Sequence, residues 1–125
     1  MTSLIVLPWM PLGLSPNDRA HWRVKAKATK GYRFTAASLA RSAGWHMLNA
    51  VPGRIVITFC PPSAWRTGDK DNLIARFKAG QDGLADALRV NDASLNDAIT
   101  HHIGERCKDG AVRVEINPTF SECIP

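Results

Sequence analysis

The sequence predicts a single α/β domain with a mixed sheet of about four strands and two main helices, in the order β-α-β-α-β-β. Three observations predict it. The chain has 125 residues, which favours one domain over residues 1–125. Four short apolar or β-branched runs have the composition of strands. Two longer segments between them repeat their apolar residues with the 3.6-residue period of a helix.

The predicted strands have defined ends. The run SLIVLPW (3–9) predicts a buried strand that Pro8 and Pro11 stop. RIVITFC (54–60) alternates β-branched and aromatic residues, ends at two prolines, and is the clearest strand, with Cys60 buried in it. The runs AITHHIGE and AVRVEI flank RCKDG, where the Asp109-Gly110 pair predicts a β-hairpin.

The predicted helices lie between these strands. The first runs from about Thr29 to Ala50. Its predicted apolar positions are Phe34, Ala37, Leu39, Ala40, Ala43, Met47 and Leu48. The second runs from about Asn72 to Leu88. Its apolar stripe consists of Leu73, Phe77, Leu84 and Leu88, with Ile74 beside it. RVNDASLND (89–97) is expected to be a loop or a helix end.

Composition narrows the class of protein. The hydrophobic share of 45% and charged share of 22% are ordinary for a globular protein, and no apolar run reaches the roughly 18 residues that span a bilayer. The first residues lack the basic region of a signal peptide. The three cysteines are widely spaced, so we expect reduced thiols without a disulfide or zinc framework. A cytoplasmic protein that does not enter a membrane is predicted.

Charge is unevenly distributed along this chain of net charge +5. Residues 17–41 carry seven bases and one acid, whereas residues 66–97 carry six of the eleven acids. A basic pI alone points only weakly to a polyanionic partner. The distribution predicts more, namely a basic surface around an acidic focus.

The acidic focus begins with Asp69 and Asp71 in GDKDNLIARFK (68–78). Side chains two residues apart in an extended segment point the same way, so both carboxylates could converge on one Mg²⁺. Alternatively, Asp71 or Asn72 caps the second helix and Asp69 interacts with its dipole. A cap needs only one of these residues, which leaves Asp69 unexplained.

Two further acids and one lysine could complete a site. Asp92 and Asp97 lie beyond the other end of the second helix, so either could approach Asp69 only if the chain folds back after Leu88. Lys78 falls on the same helix face as Asp71 and Asp82. It could contact a phosphate, or it could pair with Asp82 at the i,i+4 spacing.

Four motifs in this order resemble the RusA family of Holliday-junction resolvases, which are small dimeric endonucleases often carried by phages and prophages. They are LPWMPLGLSPN (7–17), DKDNL (69–73), DGL (82–84) and VNDASL (90–95). The resemblance covers nearly the whole chain, with the motifs in the order of the family. The resemblance implies a Mg²⁺-dependent endodeoxyribonuclease, with Mn²⁺ as an alternative ion, that cuts four-way or other branched DNA in recombination and repair. It also implies an α/β fold and a homodimer with two sites across the junction.

The resemblance assigns the metal ligands to Asp69, Asp71 and Asp92. Where the family commonly has a lysine four residues after the second aspartate, this chain has Ala75. We expect Lys78 to replace that lysine as a catalytic residue, with Arg76 as the second choice. Asn91 stands where the family has the first acid of a late pair. A non-catalytic protein of the same fold that binds branched DNA is the alternative.

DNA contacts are predicted from bases in two regions. They would neutralise phosphates without reading sequence, although a solvated helix face is the simpler interpretation of the first group. The predicted contacts are Arg19, Arg23, Lys25, Lys27, Lys30, Arg66, Lys70 and Arg76. Trp22 and Trp65 could stack on an unpaired base, or fill the core or an interface. His101 and His102 are neighbours on a strand, so they should face opposite ways and not share a ligand.

Overall fold

The computed structural model describes residues 4–11, 14, 22–48, 54–63 and 70–116. These residues form four strands and four α-helices, with a short 3₁₀ turn at Trp45–Met47. The elements are β1 (Leu4–Pro8), α1 (Trp22–Ser42), β2 (Ile55–Cys60), α2 (Lys70–Arg76), α3 (Lys78–Leu88), α4 (Asp92–Ala98), β3 (Ile99–Ile103) and β4 (Ala111–Ile116). The predicted α/β class and the mixed four-stranded sheet are confirmed. Three helices, rather than one, separate β2 from β3.

The strand order in the sheet is β1-β4-β2-β3. β4 is antiparallel to both β1 and β2, whereas β2 and β3 are parallel. Parallel neighbours need a long crossover, which α2, α3 and α4 provide. β1 and β3 are therefore the two edges of the sheet.

The predicted hairpin between β3 and β4 is wrong, because β2 lies between these strands. After β3 the chain runs beside the end of β2, where the N–H of Cys107 donates to the Pro61 carbonyl at 3.0 Å. It then turns at Gly110, whose φ of 76° suits a residue without a side chain. The Asp-Gly pair marks a turn, but one that crosses the end of a strand.

One face of the sheet forms the core. The register places Ile57 opposite Val114 on one side and His101 on the other, and in β1, β2 and β4 the buried residues alternate with more accessible ones. β1 was predicted to be a buried strand, but Val6 is 55% exposed because β1 is an edge strand with only one covered face. Cys60 is buried, as predicted, and it and Cys107 are free thiols.

The first helix begins and ends earlier than predicted, and it buries only part of the predicted apolar positions. α1 runs from Trp22 to Ser42, and its buried residues are Tyr32, Ala36, Ala37 and Ala40. Phe34, Leu39 and Met47, which were predicted to be apolar positions of this helix, are exposed. α1 packs closely on α3, so its contact face consists mainly of alanines. Ala37 and Ala40, which were predicted together with those exposed residues, are buried, so the prediction located part of the contact face but also included large side chains that are exposed.

The second predicted helix is divided at Phe77 into α2 and α3. Phe77 has φ −83° and ψ 0°, and its N–H is shared between the carbonyls of Leu73 at 3.0 Å and Ile74 at 3.2 Å. The predicted apolar stripe is confirmed, because Leu73, Phe77, Leu84 and Leu88 are all buried. Phe77 packs edge-on against Phe59 and Tyr32, which joins the helices to the sheet. None of the helices in the described part of the chain is long and apolar enough to cross a membrane.

Candidate active site

A pocket of about 520 Å³ lies where α2, α3 and α4 meet. We call it the α2–α4 pocket. It is lined by Ile74, Ala75, Lys78, Gln81, Asp92, Ala93 and Asn96. Two residues that the sequence singled out, Lys78 and Asp92, therefore share one cavity although they are 14 positions apart.

Lys78 joins two acids at this pocket. Its Nζ lies 2.7 Å from Oδ1 of Asp82 and 3.2 Å from Oδ2 of Asp92. The sequence left open whether Lys78 pairs with Asp82 or contacts a phosphate. The structure shows the pairing and adds Asp92, which spacing alone did not connect to Lys78.

The chain folds back after Leu88, which is the condition under which Asp92 could approach Asp69. Arg89 ends α3 in the left-handed conformation, with φ 59° and ψ 45°. The side chain of Asn91 then caps α4 by accepting a hydrogen bond from the Ser94 N–H at 2.8 Å. Residues 89–97, which were expected to be a loop or a helix end, thus include most of a short helix that places Asp92 in its first turn.

Two contacts that the sequence did not reveal hold α4 against α3. The side-chain amide of Gln81 donates to Oδ1 of Asn96 at 3.2 Å, and Leu95 is completely buried. The signal that could have located α4 is Asn91, a good N-cap residue, followed by Leu95 in a polar segment. The Gln81–Asn96 contact had no comparable signal because it depends on how two helices pack.

The two charges at the pocket stabilise each other. The hydrogen bond from Lys78 is the main reason that the pKa of Asp92 lies below its usual value. The hydrogen bond to Asp82 is the main reason that the pKa of Lys78 is raised. At neutral pH, Asp92 is therefore a carboxylate and Lys78 an ammonium ion. Lys78 can act here as a cation and hydrogen-bond donor, but not as a base.

Asp71 lies on the part of α2 that leads to the pocket. It is exposed, and α2 begins at Lys70, so Asp71 is within the first turn and neither it nor Asn72 is the cap that was considered. Residues four apart on a helix have Cβ atoms about 5–6 Å apart. Asp71 is thus one turn from Ala75, which lines the pocket. Asp69, the other member of the pair, lies outside the described residues.

Two of the predicted metal ligands, Asp71 and Asp92, can be compared with what a magnesium ion requires. Mg²⁺ prefers carboxylate oxygens and usually takes one or two from the protein. Asp71 and Asp92 are both exposed, and Asp92 is ionised at neutral pH. Among the residues that the structure describes, no group of three His, Cys, Asp or Glu side chains is close enough to hold a metal. The described part of the site thus offers two candidate carboxylates.

Ala75 and Lys78 both line the α2–α4 pocket. Ala75 is exposed there and offers no charge, whereas the Lys78 ammonium lies in the same cavity. This placement supports Lys78 as the replacement for the lysine that the resemblance leads one to expect at position 75.

The prediction that Arg76 contacts DNA, or is the second choice to replace that lysine, is wrong. Its side chain is only 5% exposed, and Nη2 donates to the Met10 carbonyl at 3.2 Å. The guanidinium also lies 6.0 Å from the centroid of the Trp9 ring. Arg76 therefore ties α2 to the segment after β1 and does not face solvent.

The other predicted DNA contacts lie on α1, at the start of α2 or outside the described residues. Arg23, Lys27 and Lys30 are exposed on α1, and Lys25 is half-buried. Lys70 is exposed at the start of α2. Arg19 and Arg66 lie outside the described residues.

The structure describes Trp22, His101 and His102 among the predicted aromatic and histidine residues. Trp22 is 67% exposed, so it does not fill the core, whereas Trp65 lies outside the described residues. His101 and His102 occupy opposite faces, as predicted. His101 is half-buried and stacks on Phe59, and burial lowers its pKa, whereas His102 is exposed.

Fold and pocket together define an α/β protein with a mixed four-stranded sheet and an acid–lysine pocket between its crossover helices. No family model matches the chain. A protein of Xylella fastidiosa (strain Temecula1 / ATCC 700964), named "Uncharacterized protein", is 37% identical over 134 aligned positions, which cover 93% of this chain and 87% of the relative. The chain belongs to the same family as this Xylella protein.

Proposed function

We propose that this protein is a Mg²⁺-dependent endonuclease that cuts Holliday junctions or other branched DNA by phosphodiester hydrolysis, as in the RusA family, in recombination and repair. The contact that carries the proposal is Lys78 Nζ to Asp92 Oδ2 at 3.2 Å. In this contact the Lys78 ammonium lies beside Asp92, one of the three implied metal ligands. Ala75, which lines the same pocket, is one helical turn from Asp71, a second implied ligand. A phosphate bound beside Asp92 would lie within reach of Lys78.

Asp71 and Asp92, together with Asp69, would hold the metal. When bound, Mg²⁺ or Mn²⁺ would supply a polarised phosphate and a water of lowered pKa. Lys78 has three N–H donors, of which two are directed at Asp82 and Asp92. The third can donate to a phosphate oxygen and stabilise the charge that develops on it. The two acids thus also hold Lys78 in position.

The proposal includes a homodimer and a cytoplasmic location. Two copies would present two sites to a four-way junction, so that both strands are nicked symmetrically. The exposed bases on α1, Arg23, Lys27 and Lys30, favour contact with the DNA backbone. Bacterial and phage DNA is reached in the cytoplasm.

Cutting of a synthetic four-way junction tests the proposal. We expect the unmodified protein to cut it with Mg²⁺ and not with EDTA. Asp71→Asn should bind the junction without cutting, because it keeps the shape and removes the charge. The measurements are gel assays of cleavage and binding. The proposal fails if the unmodified protein binds the junction but leaves it intact with either Mg²⁺ or Mn²⁺.

One observation favours a second candidate, a non-catalytic protein that binds branched DNA. Ala75 lines the α2–α4 pocket at the position where the resemblance leads one to expect a lysine. If Lys78 serves only to pair with Asp82 and Asp92, then no lysine of the pocket is available to donate to a phosphate. Junction binding without cutting is the result that this candidate predicts.

Lys78→Ala separates these two roles of the lysine. If Lys78 contacts the phosphate, cutting should fall by roughly 10²-fold, as for other single donors to a developing charge. Lys78→Arg keeps the positive charge and should retain part of the rate. The measurement is the single-turnover cleavage rate at saturating protein. An unchanged rate for Lys78→Ala would show that the lysine is only a salt-bridge partner.

A further inference from the structure

A second cavity, of about 690 Å³, lies between the segment that follows β1 and one face of α1. We call it the α1 groove. Trp9 and Pro11 line one side of it, and Val24, Lys27 and Gly31 line the other. The Tyr32 hydroxyl donates to the Pro8 carbonyl at 2.7 Å and fixes the distance between the two sides. As formed by the residues that the structure describes, the groove is thus open, mainly apolar and bordered by one cation, Lys27.

The helix that forms the groove is basic along its whole length. α1 has six Lys or Arg residues and no acid. Arg33 is bound by Asp86 through two hydrogen bonds of 2.7 and 2.8 Å. Arg23, Lys27 and Lys30 are also exposed and fall within about 60° of one another on the helix. Lys27 belongs both to this basic row and to the groove.

An apolar groove beside a basic row is complementary to a nucleotide. A nucleobase has flat apolar faces, and its phosphate is an anion that Lys or Arg can neutralise. In a duplex the bases are stacked on each other, so only an unpaired base could enter the groove. A peptide would use both features only where an apolar side chain stands beside an acidic one, whereas every unpaired nucleotide carries a base and an adjoining phosphate.

We propose that the α1 groove binds an unpaired nucleobase of branched DNA while Lys27 and the rest of the basic row hold the adjoining phosphates. This inference rests on the proposed function because it takes branched DNA as the ligand, but it does not require that the protein cut the DNA. Trp22 lies at the start of the same helix, 67% exposed, with the Arg23 guanidinium 5.3 Å from its ring centroid. An exposed aromatic ring and a cation thus lie at the start of the helix that carries the basic row.

Gly31 allows the groove to be filled without disturbing the fold. A Cβ added there meets nothing within 4 Å. Gly31→Leu should therefore occupy the groove, and Gly31→Ala is a matched control that leaves most of it open. The probes are a fluorescein-labelled oligothymidylate, the same strand with abasic residues, and a blunt duplex. Their affinities are measured by fluorescence anisotropy in EDTA, so that no strand is cut.

For Gly31→Leu we expect about tenfold weaker binding of the oligothymidylate and unchanged binding of the duplex, given what one stacked base contributes. The abasic strand should bind the unmodified protein about tenfold more weakly than the normal strand, but Gly31→Leu should not distinguish the two. Gly31→Ala should behave like the unmodified protein.

Two results would overturn the inference. One is that Gly31→Leu binds the oligothymidylate as tightly as Gly31→Ala does, which would mean that the row binds phosphates alone. The other is that Gly31→Leu changes the sedimentation of the protein and not its DNA affinity, which would make the groove an interface between two copies. The endonuclease proposal is judged separately, because a protein that never cuts can still lose affinity through Gly31→Leu, and an active nuclease can be unaffected by it.

Discussion

Asp92→Asn is expected to lower the rate of junction cutting by roughly 10²–10³-fold while junction binding is kept. The substitution preserves the shape of the side chain but removes the charge that would hold Mg²⁺. It also removes the anionic partner of Lys78, whose Nζ lies 3.2 Å from Asp92. Both effects act at the α2–α4 pocket, so the loss should appear in the cleavage step. The measurements are single-turnover cleavage with Mg²⁺ and junction affinity in EDTA.

Asp97→Asn is the matched control. Asp97 is an exposed aspartate on the same helix, α4, and position in the chain left both acids open as a third ligand, although the resemblance selected Asp92. The structure distinguishes them, because Asp92 lines the pocket and contacts Lys78, whereas Asp97 is not part of the pocket lining. Asp97→Asn should therefore cut at the unmodified rate. Equal losses for the two variants would contradict the assignment of Asp92 to the site.

Gly83→Ala is expected to lower the free energy of unfolding by roughly 2 kcal/mol, the usual cost of overpacking a core. Gly83 is buried where α3 crosses α1. A Cβ there would collide with the Arg33 carbonyl oxygen and would lie 2.8 Å from the Ala36 Cβ and 3.1 Å from the Ala37 nitrogen. Two of these three atoms belong to the backbone of α1, so they can yield only if the helix moves. Urea denaturation followed by circular dichroism measures the change.

Gly31→Ala is the control for this prediction, because it makes the same substitution in the partner helix. No atom lies within 4 Å of the added Cβ, so only the helix propensity changes. Alanine is favoured over glycine in a helix by about 1 kcal/mol, and stability should rise by up to that amount. If Gly83→Ala were as stable as Gly31→Ala, the close approach of α1 and α3 would be wrong.

Residues with strong local signals could be located from the sequence. Ile55–Cys60 is a strand because β-branched and aromatic residues alternate up to two prolines. Leu73, Phe77, Leu84 and Leu88 are buried because they recur on one side of a helix. The pairing of Lys78 with Asp82 was one of two alternatives that the sequence offered, because the two residues are four apart on the helix.

Other features depend on packing between distant segments and gave no local signal. The Asp109-Gly110 turn predicted a hairpin, but β2 occupies the position beside β4 that the hairpin would need. Arg76 is a base in a basic protein, but it is buried against Met10 and Trp9 from the first part of the chain. The buried face of α1 consists largely of alanines because α3 comes so close to it.

The sequence by itself determined the α/β class, most of the strands, the apolar stripe of the second helical segment and the residue types of the candidate site. Periodicity, turn residues and carboxylate spacing are local properties, so they can be recognised without coordinates. Only the tertiary structure decided that Asp92, and not Asp97, lies beside Lys78. That choice depends on the left-handed turn at Arg89 and the burial of Leu95, which together direct α4 back along α3.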